Sequence, residues 1–172
     1  VTPTFGVEDP TAADVSALLE AHLAFTRAVT PPEGVFALDA SGLTAPSVTL
    51  FGARLDGRLV GVGALSMLTP EQAELKSMHT AAAIRGSGIG QAMVEHLVAE
   101  ARRRGCTRVS LETGTMDAFA PARRLYRRCG FIVCEPFGPY VDSPTSVCMT
   151  LDLTGRMPGT RASPGPPAEP PT

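Results

Sequence analysis

The stretch that begins at Glu74 constrains the fold more than any other. Glu74-Leu-Lys-Ser-Met-His-Thr80 reads as a strand, Arg85-Gly-Ser-Gly-Ile-Gly90 as a glycine-rich turn, and the residues after it as an amphipathic helix. A strand feeding such a turn points several backbone N–H groups at one spot, with the positive end of a helix dipole behind them. That concavity suits a phosphate. Arg85 sets a permanent cation at its entrance, and the glycines let a ligand approach the backbone with no Cβ in the way. Arg85, Gly86, Ser87, Gly88, Ile89 and Gly90 are therefore candidate phosphate-binding residues.

Two other phosphate loops compete with this reading. A Walker loop needs Lys-Ser/Thr after its last glycine, whereas Gly90 is followed by Gln91-Ala92. A dinucleotide fingerprint needs G-x-G-x-x-G, and the glycines here run G-x-G-x-G. Glu112 does end a strand about twenty residues on, as that fingerprint asks. Several strand-like segments precede this loop, however, and the fingerprint normally follows the first strand of a parallel sheet. A glycine-rich turn that merely joins a strand to a helix stays open on this motif alone.

A downstream segment narrows the choice. Pro121-Ala-Arg-Arg-Leu-Tyr126-Arg-Arg-Cys-Gly130-Phe131 is a short helix, with Pro121 in its first turn and Gly130 as its left-handed stop. R-G-x-G-I-G followed about thirty-five residues later by L-Y-x-x-x-G-F resembles the GNAT superfamily of acyl-CoA-dependent N-acyltransferases. Pro31-Pro-Glu-Gly-Val-Phe-Ala-Leu-Asp39 and Phe137-Gly-Pro-Tyr140 through Ser146-Val-Cys-Met149 resemble segments of a subgroup of small bacterial members. The resemblance covers about residues 5 to 153.

That resemblance implies the GNAT fold, α/β with a mixed, mostly antiparallel central sheet, helices on both faces, and the order β-α-α-β-β-β-α-β-α-β-β. It implies acetyl-CoA as cosubstrate, its pyrophosphate on the glycine-rich loop and Tyr126 near the thioester sulfur. It further implies a splay between the fourth strand, 73–80, and the fifth, 108–113. Pantetheine would enter there and extend the sheet through main-chain bonds along Met78, His79 and Thr80. One residue departs from the pattern: an asparagine common in the family seven residues before the tyrosine is here Phe119.

Pattern along the chain agrees with that order. Apolar residues at Val15, Leu18, Leu19 and Leu23, with His22, mark an amphipathic helix from Thr11 to about Arg27, which Pro31-Pro32 ends. A second short helix is expected around Glu33 to Ala40. Strands at 48–55 and 59–68 flank Asp56-Gly57, a hairpin signal. The helix after the loop has its buried stripe at Ile89, Met93, Leu97 and Ala101 and stops at Gly105. Segments 131–134 and 147–153 close the set. Residues 1–154 thus form one acetyltransferase domain, and 155–172, rich in Gly and Pro without apolar period, a disordered tail.

Composition excludes several classes. A net charge of −2 at pH 7 gives no electrostatic case for nucleic acid. The arginines nonetheless cluster at 102–104 and at 123, 124, 127 and 128. They serve as a solvated face at helix ends or, for Arg127, as a contact to the 3′-phosphate or adenine end of CoA. Four cysteines lack C-x-x-C pairing and histidines at zinc spacing, so no metal is expected and reduced core thiols are. No apolar run is long enough for a membrane span and the N-terminal residues carry no signal-peptide pattern, so a cytoplasmic location is expected. A homodimer stays open.

Acyl transfer to an amine needs a neutral nucleophile, an oxyanion donor and a proton for the leaving thiolate. Glu74 is the candidate base, directly or through a water, with Glu71 and Glu33 behind it. Tyr126 is the candidate acid, and the Met78 N–H the oxyanion donor. For the acceptor, His22, Arg27 and Glu33 lie in the region that overhangs the pocket by resemblance, and Phe137 and Tyr140 wall it from the other side. Arg27 suits a carboxylate and Glu33 an ammonium, which together favour a small amino-acid-like amine. Two alternatives stand beside that activity: acetylation of a protein lysine or N-terminus, and an acyl-CoA-binding module without turnover.

Overall fold

A computed structural model describes residues 2–34 and 40–155. It contains seven strands: β1 (Thr4–Val7), β2 (Val48–Leu55), β3 (Arg58–Met67), β4 (Gln72–Thr80), β5 (Arg108–Gly114), β6 (Ile132–Cys134) and β7 (Ser146–Asp152). Its helices are α1 (Ala13–Val29), α2 (Ala40–Leu43), α3 (Ile89–Arg103) and α4 (Ala120–Arg128). The expected order of elements is the observed one. The helix expected around residues 33–40 is replaced by a 3-10 turn at Pro32–Gly34 and by α2, with 35–39 outside the described residues. The tail expected from 155 lies, beyond Gly155, outside them too.

All strands form one sheet in the order β1-β2-β3-β4-β5-β7-β6. Only β4 and β5 run parallel. That single parallel pair needs a crossover, which α3 supplies, while the other neighbours can be joined by hairpins or longer returns. Asp56 and Gly57 turn the β2–β3 hairpin with φ of 48° and 79°, the left-handed pair that a two-residue turn of matching twist requires.

Each face of the sheet buries its own cluster. On the face covered by α3 and α4, Val94 and Leu97 of α3 pack with Leu65, Leu75, Val109, Leu111, Phe131 and Met149. The period of 3.6 read from the sequence places Ile89, Met93, Leu97 and Ala101 inward, and all are buried. On the other face Val15 and Leu19 of α1 pack with Leu43, Leu50, Val62 and Ala64. Burying a Val, Leu, Phe or Met side chain contributes roughly 1.5–3 kcal/mol. These two layers therefore hold the middle strands rigid between helices, and the middle strands are where the site is built.

Candidate active site

The site begins where the sheet comes apart. β4 and β5 pair from Gln72↔Arg108 to Leu75↔Leu111 and then stop, although both strands continue. On its other edge β4 pairs Lys76 with Ala64 and His79 with Val62, so Ser77 and Met78 together face Gly63. This is a β-bulge, and Ser77 adopts φ 53° to make it. Gly63 permits it: a Cβ there would lie 2.6 Å from Met78 Sδ and 2.9 Å from Leu97 Cδ1. A bulge bends its strand. Here the bend turns residues 76–80 away from β5 and opens a cleft of about 690 Å³. Met78, His79 and Thr80 line that cleft on a strand edge that β5 no longer covers.

The glycine-rich loop closes one end of the cleft. Gly86 and Gly88 have φ of 83° and 89°, a region costly for residues with a Cβ. Gly88 caps α3, whose first-turn amides have no intrahelical acceptor. A Cβ on Gly86 or Gly88 would meet open space, so these glycines serve backbone shape and access rather than packing. Gly90 differs: a Cβ would come within 3.2 Å of Leu125 on α4. Arg85, Gly86, Gly88, Ile89 and Gly90 line the cleft; Ser87 is exposed outside it and donates its hydroxyl to the Ile84 carbonyl at 2.6 Å. Arg85 reaches back to the Thr80 carbonyl at 3.3 Å and stands over the Phe25 ring, 5.9 Å from its centre. Phe25 in turn meets Phe119 edge-on at 5.4 Å. Phe119 lies so close over Gly114 that no Cβ would fit there. Where the family has a polar asparagine, this chain thus has an apolar contact from α1 to the turn before α4.

Tyr126 lies on the α3–α4 side, 6 % exposed and lining the cleft. It packs edge-on against Phe131 at 6.0 Å. Its hydroxyl makes no hydrogen bond to the described residues. Burial holds its phenol above the ordinary tyrosine range, which keeps the proton on the oxygen at neutral pH.

On the opposite side two carboxylates face the cleft. Glu74 is 4 % exposed, and its Oε1 accepts from Lys76 Nζ at 3.0 Å and from the Tyr140 hydroxyl. Lys76 Nζ also donates to the Tyr140 oxygen at 2.7 Å. Glu112 is the second carboxylate, on β5 just past the last rung shared with β4. Burial pushes its carboxyl above the usual range, against a Ser146 hydrogen bond and the Lys76 charge that pull it down. Beside them His22 and His79 stand with ring centres 5.3 Å apart, and burial pushes both imidazoles down from 6.5 to about 4, so they are neutral at neutral pH.

Besides Ser87 and Glu71, four sequence candidates fall outside the cleft lining. Arg27 and Glu33 are exposed, Phe137 packs on Tyr140 at 5.1 Å, and Arg127 is exposed on α4. Arg124 and Arg128 line the cleft in place of Arg127. These two, four residues apart, share one face of α4. Lys76 and Glu112 join the site without a motif that marks them for acyl transfer, although strand alternation puts Lys76 on the face of Glu74 and is a usable signal. Among the described residues no group of three or more His, Cys, Asp or Glu is placed to hold a metal ion. Nor is any helix long and apolar enough to cross a membrane.

The model of the acetyltransferase (GNAT) family matches residues 15–131. This chain belongs to that family. Among its relatives is the uncharacterized N-acetyltransferase YsnE of Bacillus subtilis, 40 % identical over 147 residues, or 86 % of this chain and 97 % of that protein. A Klebsiella pneumoniae structure described as an acyl-CoA N-acyltransferase superposes with a TM-score of 0.75 at 31 % identity, covering 88 % of this chain and 97 % of that one. An Elizabethkingia anophelis GNAT acetyltransferase with acetyl-CoA bound gives 0.67 at 15 % identity, over 88 % and 99 %. At that identity the likeness is one of fold. The protein is a GNAT N-acetyltransferase, and acetyl-CoA is its cosubstrate.

Proposed function

We propose that the protein transfers the acetyl group of acetyl-CoA to the primary amine of a small metabolite, by direct attack with both substrates bound. The observation that carries this reading is the meeting of Tyr126 with Glu74 and Glu112 on opposite walls of one cleft, where β4 leaves β5. The glycine-rich loop fits a pyrophosphate, and the freed edge of β4 fits an extended pantetheine chain. A carboxylate takes a proton from the incoming ammonium. The neutral nitrogen then bonds to the carbonyl carbon as the carbon–sulfur bond breaks, the leaving thiolate takes the Tyr126 proton, and the second proton shed by the acylated nitrogen restores the phenol. Glu74 fills the base role from the acceptor side, with Glu112 as the other carboxylate in reach of the same space.

A small acceptor, rather than a protein chain, is supported by how the two overhanging segments meet. A Cβ on Gly34 would come within 2.8 Å of Thr145 Oγ1 and 3.1 Å of Thr30 Cγ2, so the turn after α1 packs onto the connection between β6 and β7. Contact there narrows an open groove into a pocket. Four thiols with no disulfide among them suit the reducing cytoplasm, where we place the enzyme.

Release of free thiol from acetyl-CoA across a panel of amines and peptides tests the proposal. Small amines should turn over with a stoichiometric acetylated product. Tight acetyl-CoA binding with no release for any amine would leave a binding module, and faster turnover of peptides would move the acceptor to proteins.

A further inference from the structure

The inward face of α1 changes character along its length. Val15 and Leu19 are buried in the apolar layer over β2 and β3. The same face continues through His22 and Thr26 to Thr30, the extended residue that caps α1, and there it is polar. All three line the cleft, and Thr26 and Thr30 are 7 % and 8 % exposed. An inward helical face is polar when something polar lies against it.

Three of its neighbours lack a partner. His22 Nδ1, Thr30 Oγ1 and Ser77 Oγ are buried and make no hydrogen bond to the described residues. Ser77 is the left-handed residue of the bulge in β4, so the unpaired atoms lie on two elements that wall one cleft. Thr26 is the contrast, since its hydroxyl is satisfied by the His22 carbonyl at 3.0 Å. Buried polar groups in folded proteins are nearly always paired. One remaining unpaired atom, His96 Nε2, lies elsewhere, on a ring stacked between Phe5 and Phe51. Three gathered at a substrate cleft call for a ligand that pairs them.

We propose that His22, Thr30 and Ser77 form a subsite for the uncharged, hydrogen-bonding part of the acceptor, which is a hydroxyl- or amide-bearing primary amine without a carboxylate. This rests on the acetyltransferase reading above and deepens it. The charge pattern selects the class. The ammonium of such an acceptor finds Glu74 and Glu112. Among the described residues a carboxylate finds no free cation on the acceptor side, because Lys76 is bonded to Glu74 and Tyr140, Arg85 stands at the phosphate loop, Arg124 and Arg128 lie on α4 on the Tyr126 side, and Arg27 is exposed outside the lining. His22 is neutral at working pH, as burial requires, and offers one hydrogen-bonding nitrogen rather than a charge. A hydroxyl or amide can both donate and accept, which is what two hydroxyls and an imidazole nitrogen ask for.

The test uses a matched set: 2-amino-1,3-propanediol, isopropylamine, which lacks its hydroxyls, and serine, in which a carboxylate replaces one hydroxymethyl group. Sites built to hydrogen-bond a substrate discriminate strongly against analogues lacking the group. The diol should be acetylated with kcat/KM at least about 10-fold above either analogue. Thr30→Val keeps the side-chain shape, and Ser77→Gly suits the positive φ. Each should lower the diol toward isopropylamine while leaving the KM for acetyl-CoA in place. Equal kcat/KM across the set, or a preference that survives both variants, overturns the subsite.

A second measurement does not depend on turnover. The chain has three histidines, so the 15N signals of His22 can be assigned with His22→Gln. With CoA in place of acetyl-CoA, the diol should move the His22 Nδ1 signal and isopropylamine should not. A moved signal without acetylation of any amine sinks the enzymatic reading but keeps the subsite. No acetylation and no movement sinks both.

Discussion

Tyr140 donates its hydroxyl to Glu74 Oε1, the same oxygen that Lys76 holds at 3.0 Å. The three groups form a closed triangle, since Lys76 also donates to the Tyr140 oxygen at 2.7 Å. Tyr140 comes from the connection between β6 and β7, while Glu74 and Lys76 stand on β4. The triangle therefore ties the roof of the acceptor pocket to the strand that carries the proposed base. Burial and the Glu74 charge hold the phenol far above the ordinary tyrosine range, so it remains a donor throughout the working pH range.

Tyr140→Phe keeps the ring, including its packing on Phe137, and removes two hydrogen bonds with charged groups, one to Glu74 and one from Lys76. Such bonds contribute about 1.5–3 kcal/mol. Chemical denaturation should show a loss of that order. The KM for the acceptor should rise as the roof loosens, while acetyl-CoA affinity by calorimetry should hold. Unchanged stability and unchanged acceptor KM would mean that the triangle contributes nothing in solution.

Tyr126→Phe should lower kcat by about 10²-fold or more, the usual loss for a general acid. The ring stays in its core position against Phe131, so folding and acetyl-CoA binding should hardly change. The informative comparison is donor activity with a better leaving group. A thioester of a more acidic thiol needs less protonation, so it should recover most of the lost rate in the variant. Equal losses for both donors would reduce Tyr126 to a packing role.

Glu74→Gln and Glu112→Gln separate the two carboxylates. Each should be measured as kcat/KM against pH. Burial raises the Glu112 carboxyl, so a proton acceptor there would put the acid limb of the profile above the ordinary carboxylate value. Glu112 is faced by Glu74 and Lys76 from β4, by Tyr140 from the roof, by Ser146 and Cys148 from β7 and by Tyr126 from α4. Activity would therefore fall as pH drops through that limb. Loss of the limb in Glu112→Gln with its retention in Glu74→Gln would assign the base to β5. The reverse result would keep it on Glu74.

Motif and period carried the fold, and they carried one half of the site. The glycine-rich turn, the Asp56-Gly57 hairpin and the α3 stripe each rest on local rules, of backbone angle or residue spacing, that a short window of sequence contains. The cofactor wall follows from them because loop and helix are contiguous in the chain. Acceptor residues are assembled from α1, β4, β5 and the β6–β7 connection, whose approach depends on the bulge at Ser77. No window of sequence contains that approach. Arg27 and Glu33 were chosen for their charge beside a stiff Pro-Pro turn, yet the helical face that meets the cleft runs through His22 and Thr26 to the capping Thr30. Lys76 was within reach of strand alternation, whereas Glu112 became visible only when the end of β4–β5 pairing was known.

Gly88→Asp tests the phosphate loop directly. Gly88 has φ 89°, and a left-handed residue with a Cβ costs roughly 1–2 kcal/mol. The space around the new Cβ is open, so that strain is all the fold must bear. Cosubstrate binding would suffer far more, because the carboxylate would face the bound phosphates. Calorimetry should find acetyl-CoA binding abolished while the melting transition survives. Binding at wild-type strength would place the pyrophosphate elsewhere.

The last prediction concerns acid. His22 and His79 sit with ring centres 5.3 Å apart, and burial holds both near about 4, against an ordinary value of 6.5. The charge of His79 adds to the depression of His22, and that of Arg85 to His79. Between pH 6.5 and about 4 the unfolded chain thus binds protons that the folded one does not. Stability is full above that window, falls as pH drops through it and levels off below. At about pH 5 the loss is up to roughly 2 kcal/mol for His22, at about 1.4 kcal/mol per pH unit, and less for the more open His79. Glu112 acts in the opposite sense: its raised carboxyl favours the folded state at low pH and loses that contribution as pH rises. Urea denaturation at pH 7.5, 6 and 5 should show the net decline. The double variant His22→Gln/His79→Gln, which cannot take up these protons, should flatten it. A decline of equal slope in both proteins would locate the acid sensitivity outside this pair.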